Sequence, residues 1–437
     1  MAALVNSERQ EEKTLATGPV LTHWVNTRQL PGDLILRHLS WKDVVQLAAS
    51  SPLLWPHVER LVALARPDRE AAFADRTPNR LRIPLLTGLT REQALAYNNG
   101  ALRRACAYGH VAMAQWLADR FALTAADARA VGGGALRGAC EKGRLAMAQW
   151  LVERFGLTAD DAREYDNWAL RWACRNGQLA TAQWLTERFG LTAADARGDS
   201  NEALQRACTR GHLATAQWLT ERFGLTADDV RANNNCALRW ACHHGHLDVV
   251  QWLVERFGLT ADDARAGNNC ALRRACAYGH LAMAQWLVER FGLTAADARA
   301  EQNEALRWAC ENGHLATAQW LVERFQLTAA DARAQNNHAL RWACGNGHLA
   351  TAQWLTERFG LMAADARAID NWALRWACGN GHLATAQWLT ERFGLMAADA
   401  RAIDKGALWF AVRNRHLKVE RWLASEFGIT REEIHGQ

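Results

Sequence analysis

The chain has 437 residues, a length that allows two to four globular domains. Its 51 basic and 46 acidic side chains leave a net charge of +5 with no polybasic run, which argues against nucleic acid or an anionic membrane as partner. No run of about 18 apolar residues predicts a membrane span, and the polar, acidic start MAALVNSERQEEKTLATG is unlike a signal peptide. A soluble, cytoplasmic chain is expected, with the nucleus as the alternative and a monomer as the default state.

In chain order, residues 1–25 read as a flexible N-terminus and residues 26–84 as a small helical domain. All seven prolines lie at or before Pro84, so the composition changes sharply there. The segment LPGDLILRHLSWKDVVQLAASSPLLWPHV (30–58) opens Leu-Pro, spaces aliphatics along one helix and ends near a tryptophan. Through Leu30, Pro31, Leu34, Leu39, Asp43, Val44, Val45, Leu47, Ala48 and Trp55 it resembles an F-box, although the loop after Leu39 is a few residues short. The resemblance implies binding of a Skp1-like adaptor, which ties a substrate-holding domain to a cullin ubiquitin ligase. The alternative is a helical cap that shields the first unit of the array behind it.

Residues 85–437 are repetitive. The pair Ala-Leu recurs at 101, 135, 169, 203, 237, 271, 305, 339, 373 and 407, always 34 residues apart. Ten copies without insertion or deletion predict an all-α solenoid in which each unit contacts mainly its neighbours. Residues 339–370 and 373–404 are identical. The stretch GLTREQALAYNN (88–99) reads as the connector of an incomplete earlier unit.

The seventh unit serves as a sample. Asn303 is expected to be the N-cap of a helix A, its side-chain oxygen accepting from the first free N–H groups; eight of the ten copies carry Asn there. Ala305, Leu306, Ala309 and Cys310 form an apolar stripe, and Gly313 ends the helix where a left-handed backbone suits glycine. Helix B follows with Leu315, Ala318, Trp320, Leu321, Val322 and Phe325 as a broad buried face. Thr328 and Asp331 match a capping box, so a short third helix is expected in the connector. The Glu-Arg of each helix B and the Asp-Ala-Arg of each connector read as solvated or capping charges.

Segments such as CALRWACHHGHLDVVQWLVERFG (236–258) resemble an ankyrin repeat, with Leu238, Ala241, Gly245, His246, Leu247, Val249, Val250 and Leu253 on matching positions. The resemblance implies stacked helix pairs and a protein-binding groove. Departures are the missing Thr-Pro opening, Arg (for example Arg239) in place of His, a short helix in place of the β-hairpin, and Thr or Met, then Ala, before Trp in helix B. That last change reads as volume exchange in a packed core. Tetratricopeptide and pentatricopeptide arrays share the period, but the former usually place proline between units and the latter read RNA, which near-neutral repeats do not suit.

Nine of the eleven cysteines form one column, Cys106 to Cys378, and read as small buried apolar residues. CHHGH (242–246) is a weak candidate zinc site. No phosphate loop, nucleophile elbow or paired-carboxylate arrangement is seen, so neither enzyme activity nor a cofactor is expected.

The columns that vary between copies carry the candidate partner-binding residues. The position before Ala-Leu holds Trp168, His338 and Trp372; four residues on stand Trp172, Trp240, Arg274, Trp308, Trp342 and Trp376; seven and eight on stand Tyr108, Arg175, Asn176, His243, His244 and Tyr278. These offsets share one helix face. The offset-four tryptophans are expected to be partly buried, and the offset-seven and offset-eight residues exposed. The expected function is that of an adaptor, with a target protein held in the helix-A groove. An N-terminal F-box before ankyrin repeats resembles proteins of large DNA viruses of amoebae. The alternative is a structural or scaffold repeat protein, such as one associated with a virion. In the last unit Arg415 replaces the turn glycine, and Lys418 and Arg421 add charge, as suits an end facing water.

Overall fold

The computed structural model describes residues 91–429, all of them helix, turn or connecting segment, with no strand among the described residues. The described residues fall into two compact units, one of residues 91–169 with 183–189 and one of residues 170–182 with 190–429. The F-box-like segment and its residues Leu30, Pro31, Leu34, Leu39, Val44, Leu47 and Trp55 lie outside the described residues.

In both units the core is built from the constant columns. In the larger unit, Ala305, Leu306, Ala309 and Cys310 of one helix A and Ala318, Leu321 and Val322 of helix B are fully buried, and each has counterparts one repeat away. Burial pushes the column thiols, from Cys106 to Cys378, upward out of the range where a thiolate forms. They act as small apolar spacers that let helices approach closely. Thr317 joins Ala318 in the core, but Trp320 is only half-buried, set edge-on to Phe325 with ring centroids 6.0 Å apart. The tryptophan therefore covers the margin of helix B, and the expected volume exchange inside the core is not what the small residues do.

Helix A ends as expected: Gly313 has φ +74°. A second reason for glycine comes from the next unit, because a Cβ at Gly313 would lie 2.4 Å from Nδ1 of His348. Each Gly-His turn from Gly211 to Gly381 thus receives the histidine of the following repeat, whereas Gly109 receives Arg144. The contact is completed by a ring-nitrogen hydrogen bond across the repeat boundary, as between His280 Nε2 and the His243 carbonyl at 2.9 Å. Arg415 takes the left-handed conformation (φ +63°) in the last described repeat.

The asparagine column is a correction. Asn303 is not an extended N-cap but the last of three consecutive left-handed residues, with Glu301, Gln302 and Asn303 at φ +51°, +56° and +62°. Asparagine tolerates this region better than most residues, and the buried Asn303 Oδ1 accepts nothing from the protein. At the equivalent Asn99 the amide instead donates to the Asp127 carbonyl of the next connector, at 2.8 Å. The left-handed turn leaves its carbonyls without helical partners, and the arginine after Ala-Leu reaches back to them. Arg307 donates to the carbonyls of Gln302 and Glu301, both at 2.9 Å, and Arg239 to those of Asn234 (2.7 Å) and Asn233 (3.0 Å). This explains why Arg stands where the sequence comparison led one to expect His.

Ile369 occupies this turn at φ +51° and is 46% exposed, so a β-branched side chain holds a conformation it disfavours without a packing return. Ile369→Asn is expected to stabilise the protein by about 1 kcal/mol, read as a higher denaturant midpoint; a lower midpoint would mean that the isoleucine makes compensating contacts.

The connector bears out the capping box and the short helix Ala329–Ala332. Asp331 accepts the backbone N–H (2.8 Å) and the hydroxyl (3.0 Å) of Thr328. In the duplicated block Met362 and Met396 keep only the backbone half, at 2.8 Å to Asp365 and Asp399. The Asp-Ala-Arg charges are a second correction. The arginine is not simply solvated but forks onto the capping aspartate of the next repeat. Arg129 pairs with Asp161 in the smaller unit (Nε at 2.5 Å), and in the larger unit Arg231 pairs with Asp263 (2.8 and 3.0 Å) and Arg299 with Asp331 (2.8 and 3.0 Å). One carboxylate therefore caps its own helix and clamps the preceding repeat. The Arg231 fork holds the Asp263 carboxyl down at about 2. At Asp331 burial alone would raise the value, but Arg299 and Thr328 outweigh it and the net shift is downward. The Glu323-Arg324 pair of helix B is exposed, as expected.

Candidate protein-docking surface

Helix A presents its constant columns to the core, and the varied columns lie on its remaining surface, partly outward and partly under the next helix A. In the larger unit they gather into an aromatic ladder that crosses three repeats. His338 and Trp342 have ring centroids 5.7 Å apart, Trp342 and Trp372 4.7 Å, Trp372 and Trp376 5.4 Å, and Trp376 and Phe410 5.4 Å in a stacked arrangement. The Arg341 guanidinium lies 5.2 Å over the Trp372 ring. All four residues from His338 to Trp376 are half-buried, so each shows one face or edge outward while the other is fixed by its neighbour.

The floor beneath Trp372, Trp376 and Phe410 is glycine. A Cβ at Gly345 would lie 2.8 Å from Trp372 and 3.2 Å from Trp376, and one at Gly379 would lie 2.8 Å from Phe410. These glycines were not among the expected site residues, although the sequence carried the signal: offset seven is glycine only where the next repeat brings large aromatics.

A second cluster lies on two central repeats of the same unit. Trp240 is 43% and Tyr278 44% exposed, and His243 sits between them with centroids 4.8 Å from Trp240 and 4.0 Å from Tyr278. His244 is exposed and edge-on to His243 at 4.4 Å. The histidines thus serve as ring surfaces in an aromatic group. Burial, aided by the neighbouring His244 and Arg274 charges, pushes His243 down to about 4, and burial with Arg307 and Arg341 nearby does the same for His338. Both are neutral at pH 7. No group of three or more His, Cys, Asp or Glu placed to hold a metal occurs among the described residues.

Arg274 lies 4.8 Å over Trp308, and Arg175 lies 4.0 Å over Trp172. These cation–π pairs hold arginine flat against an aromatic face. In the smaller unit Tyr108 is half-buried, and Arg137 faces both Tyr165 (5.0 Å) and Trp168 (5.1 Å).

The expected exposure of offset seven does not hold throughout. Ala277, Gly345 and Gly379 are buried because the next helix A lies over them, and Arg175 and His243 are half-buried. Asparagine at offset eight is a strut: Asn312 Nδ2 donates to the Ala277 carbonyl and Asn346 Nδ2 to the Glu311 carbonyl, both at 2.8 Å. Asn176, half-buried, stands in this same column.

A family model described as ankyrin repeats matches three overlapping segments, residues 170–265, 204–297 and 272–370. No curated protein matches the chain. Together with the all-helical repeats, this makes the fold an ankyrin-like solenoid. Ankyrin repeats generally mediate protein–protein interactions. No described helix is long and apolar enough to cross a membrane.

Proposed function

We propose that the protein is a substrate-recruiting adaptor, in which the outer flank of the helix-A array grips a target protein and the F-box-like segment 30–58 docks a Skp1-like protein of a cullin ubiquitin ligase. The observation that carries the first half is the aromatic ladder from His338 to Phe410. Tryptophan and arginine are the residue types that dominate binding energy at protein interfaces, and neighbouring rings here hold them at low entropic cost. The second half rests on the sequence of residues 30–58. A host-cell cytoplasmic setting follows from the resemblance to proteins of large DNA viruses.

Two variants of the full chain separate the halves. Leu30→Ala with Pro31→Ala is expected to abolish retention of a purified Skp1-like protein and leave the repeats folded. Trp342→Ala with Trp376→Ala is expected to reduce co-purification of ubiquitin-ligase targets by tenfold or more, the scale of two lost hot-spot residues, with Skp1 retention unchanged. Wild-type protein that retains no Skp1-like partner would leave a scaffold built on the solenoid alone.

A further inference from the structure

In the first two Ala-Leu repeats three positions of the varied face carry no side chain. Gly100, Gly134 and Gly138 stand in the columns that hold tryptophan in several later repeats. Gly134 and Gly138 lie within a helix, where glycine is weaker than alanine. They border a pocket of about 360 Å³. A Cβ at Gly134 would lie 2.7 Å from Cδ of Arg103, and one at Gly138 would lie 3.3 Å from Cβ of Ala107. The glycines therefore let Arg103 lie across the floor and keep the cavity open.

The lining is strongly biased in charge. Arg103, Arg104, Arg137 and Lys142 face the space against a single carboxylate, Glu141, which pairs with Lys142 at 3.3 Å. Two walls are aromatic, Tyr108 and Trp168. Arg137 is fixed against Trp168 by its cation–π contact at 5.1 Å, which orients its guanidinium before any ligand arrives. A surplus of cations calls for a multiply charged anion, planar guanidinium groups suit phosphoryl oxygens, and aromatic walls suit a ring beside the anion.

We propose that this pocket binds an aryl phosphomonoester, the phosphotyrosine side chain of a target protein. That the ligand is part of a protein rests on the docking reading above; the pocket's chemistry does not. The step is binding only, with no bond made or broken.

The test uses the full-length protein and N-acetyl-phosphotyrosine amide, with N-acetyl-tyrosine amide, the phosphoserine analogue and inorganic phosphate as comparisons, all measured by calorimetry. The phosphotyrosine probe is expected to bind at least about tenfold more tightly than each of the others, and to weaken below about pH 6 as its phosphate dianion takes up a proton and loses one charge. Arg104→Gln with Lys142→Gln, both on the surface, should lose about tenfold. Gly134→Trp, which restores the bulk of later repeats, should abolish binding, and the charge variant keeps the test valid if that protein misfolds. Absence of wild-type binding, equal binding of inorganic phosphate, or affinity unchanged in the charge variant would overturn the proposal. No target protein is needed, so a negative result leaves the docking reading to be decided by the Trp342 and Trp376 variants.

Discussion

Gly347→Ala is expected to destabilise the protein by about 3 kcal/mol, whereas Gly360→Ala in the same repeat should cost only about 1 kcal/mol. Both glycines are left-handed, at φ +78° and +58°. The backbone penalty of about 1 kcal/mol is therefore common to the two. They differ in their surroundings. A methyl at Gly347 would sit 2.4 Å from Nδ1 of His382, while nothing lies within 4 Å of one at Gly360. The His382 ring has little freedom to retreat, because it is half-buried at the N-terminus of its own helix Leu383–Phe393. The remaining roughly 2 kcal/mol is the cost of overpacking a repeat boundary. Urea unfolding of the two variants measures the difference, and equal losses would mean that the histidine does not lean on the preceding turn.

Stability is also expected to decline in two stages as the pH falls. His212, His246, His314, His348 and His382 are all held below the ordinary imidazole value, chiefly by burial, and His243 and His338 are lowered to about 4. A histidine whose folded value is depressed binds a proton more readily when unfolded. Its penalty is absent above the unfolded value, near 6.5, and grows as the pH drops toward the folded one. The first stage therefore falls between about pH 6.5 and 4. The capping aspartates behave differently. Their folded values are depressed because arginine and the helix N-terminus favour the anion, so their stabilisation is full above the ordinary carboxyl range. It is lost as the pH falls through the folded values, about 2 at Asp263. A melting temperature followed from pH 8 to pH 2 should hold level, fall below pH 6.5, and fall again below about pH 4. His338→Gln should flatten part of the first decline. A flat profile down to pH 4 would show that the histidine column is not desolvated.

The repeat length, the helix pairs, the turn glycine and the connector helix were legible because each follows from a local pattern within one unit. Periodicity placed Leu306 and Cys310 on a buried face, and Thr328 with Asp331 marked a helix start. What stayed hidden were partnerships between units. Asn303 has the residue type of an N-cap, and only the three-dimensional path shows it as a left-handed residue. Arg299 and Asp331 are 32 positions apart, so one repeat read alone leaves both charges looking solvated. Of the site, the composition of the varied columns was readable. Which rings touch was not, since that depends on helix spacing and on the small residues beneath.

The glycines beneath the ladder bear on how such an array can change over time. Gly345 belongs to one repeat by sequence, but the room it leaves is used by Trp372 and Trp376 of the next. In the packing seen here Trp372 and Trp376 need the small residue at 345, so these positions are inherited together, whereas Trp342 has Glu311 at the equivalent upstream place. The heritable unit of this surface is thus a pair of half-repeats joined across a boundary, offset from the 34-residue unit of the scaffold. Exchange of whole repeats at their connectors would keep the fold and break the recognition code. Crossovers inside helix A, between its core columns and offset seven, would part the glycine from its tryptophans only when they also change the neighbour downstream.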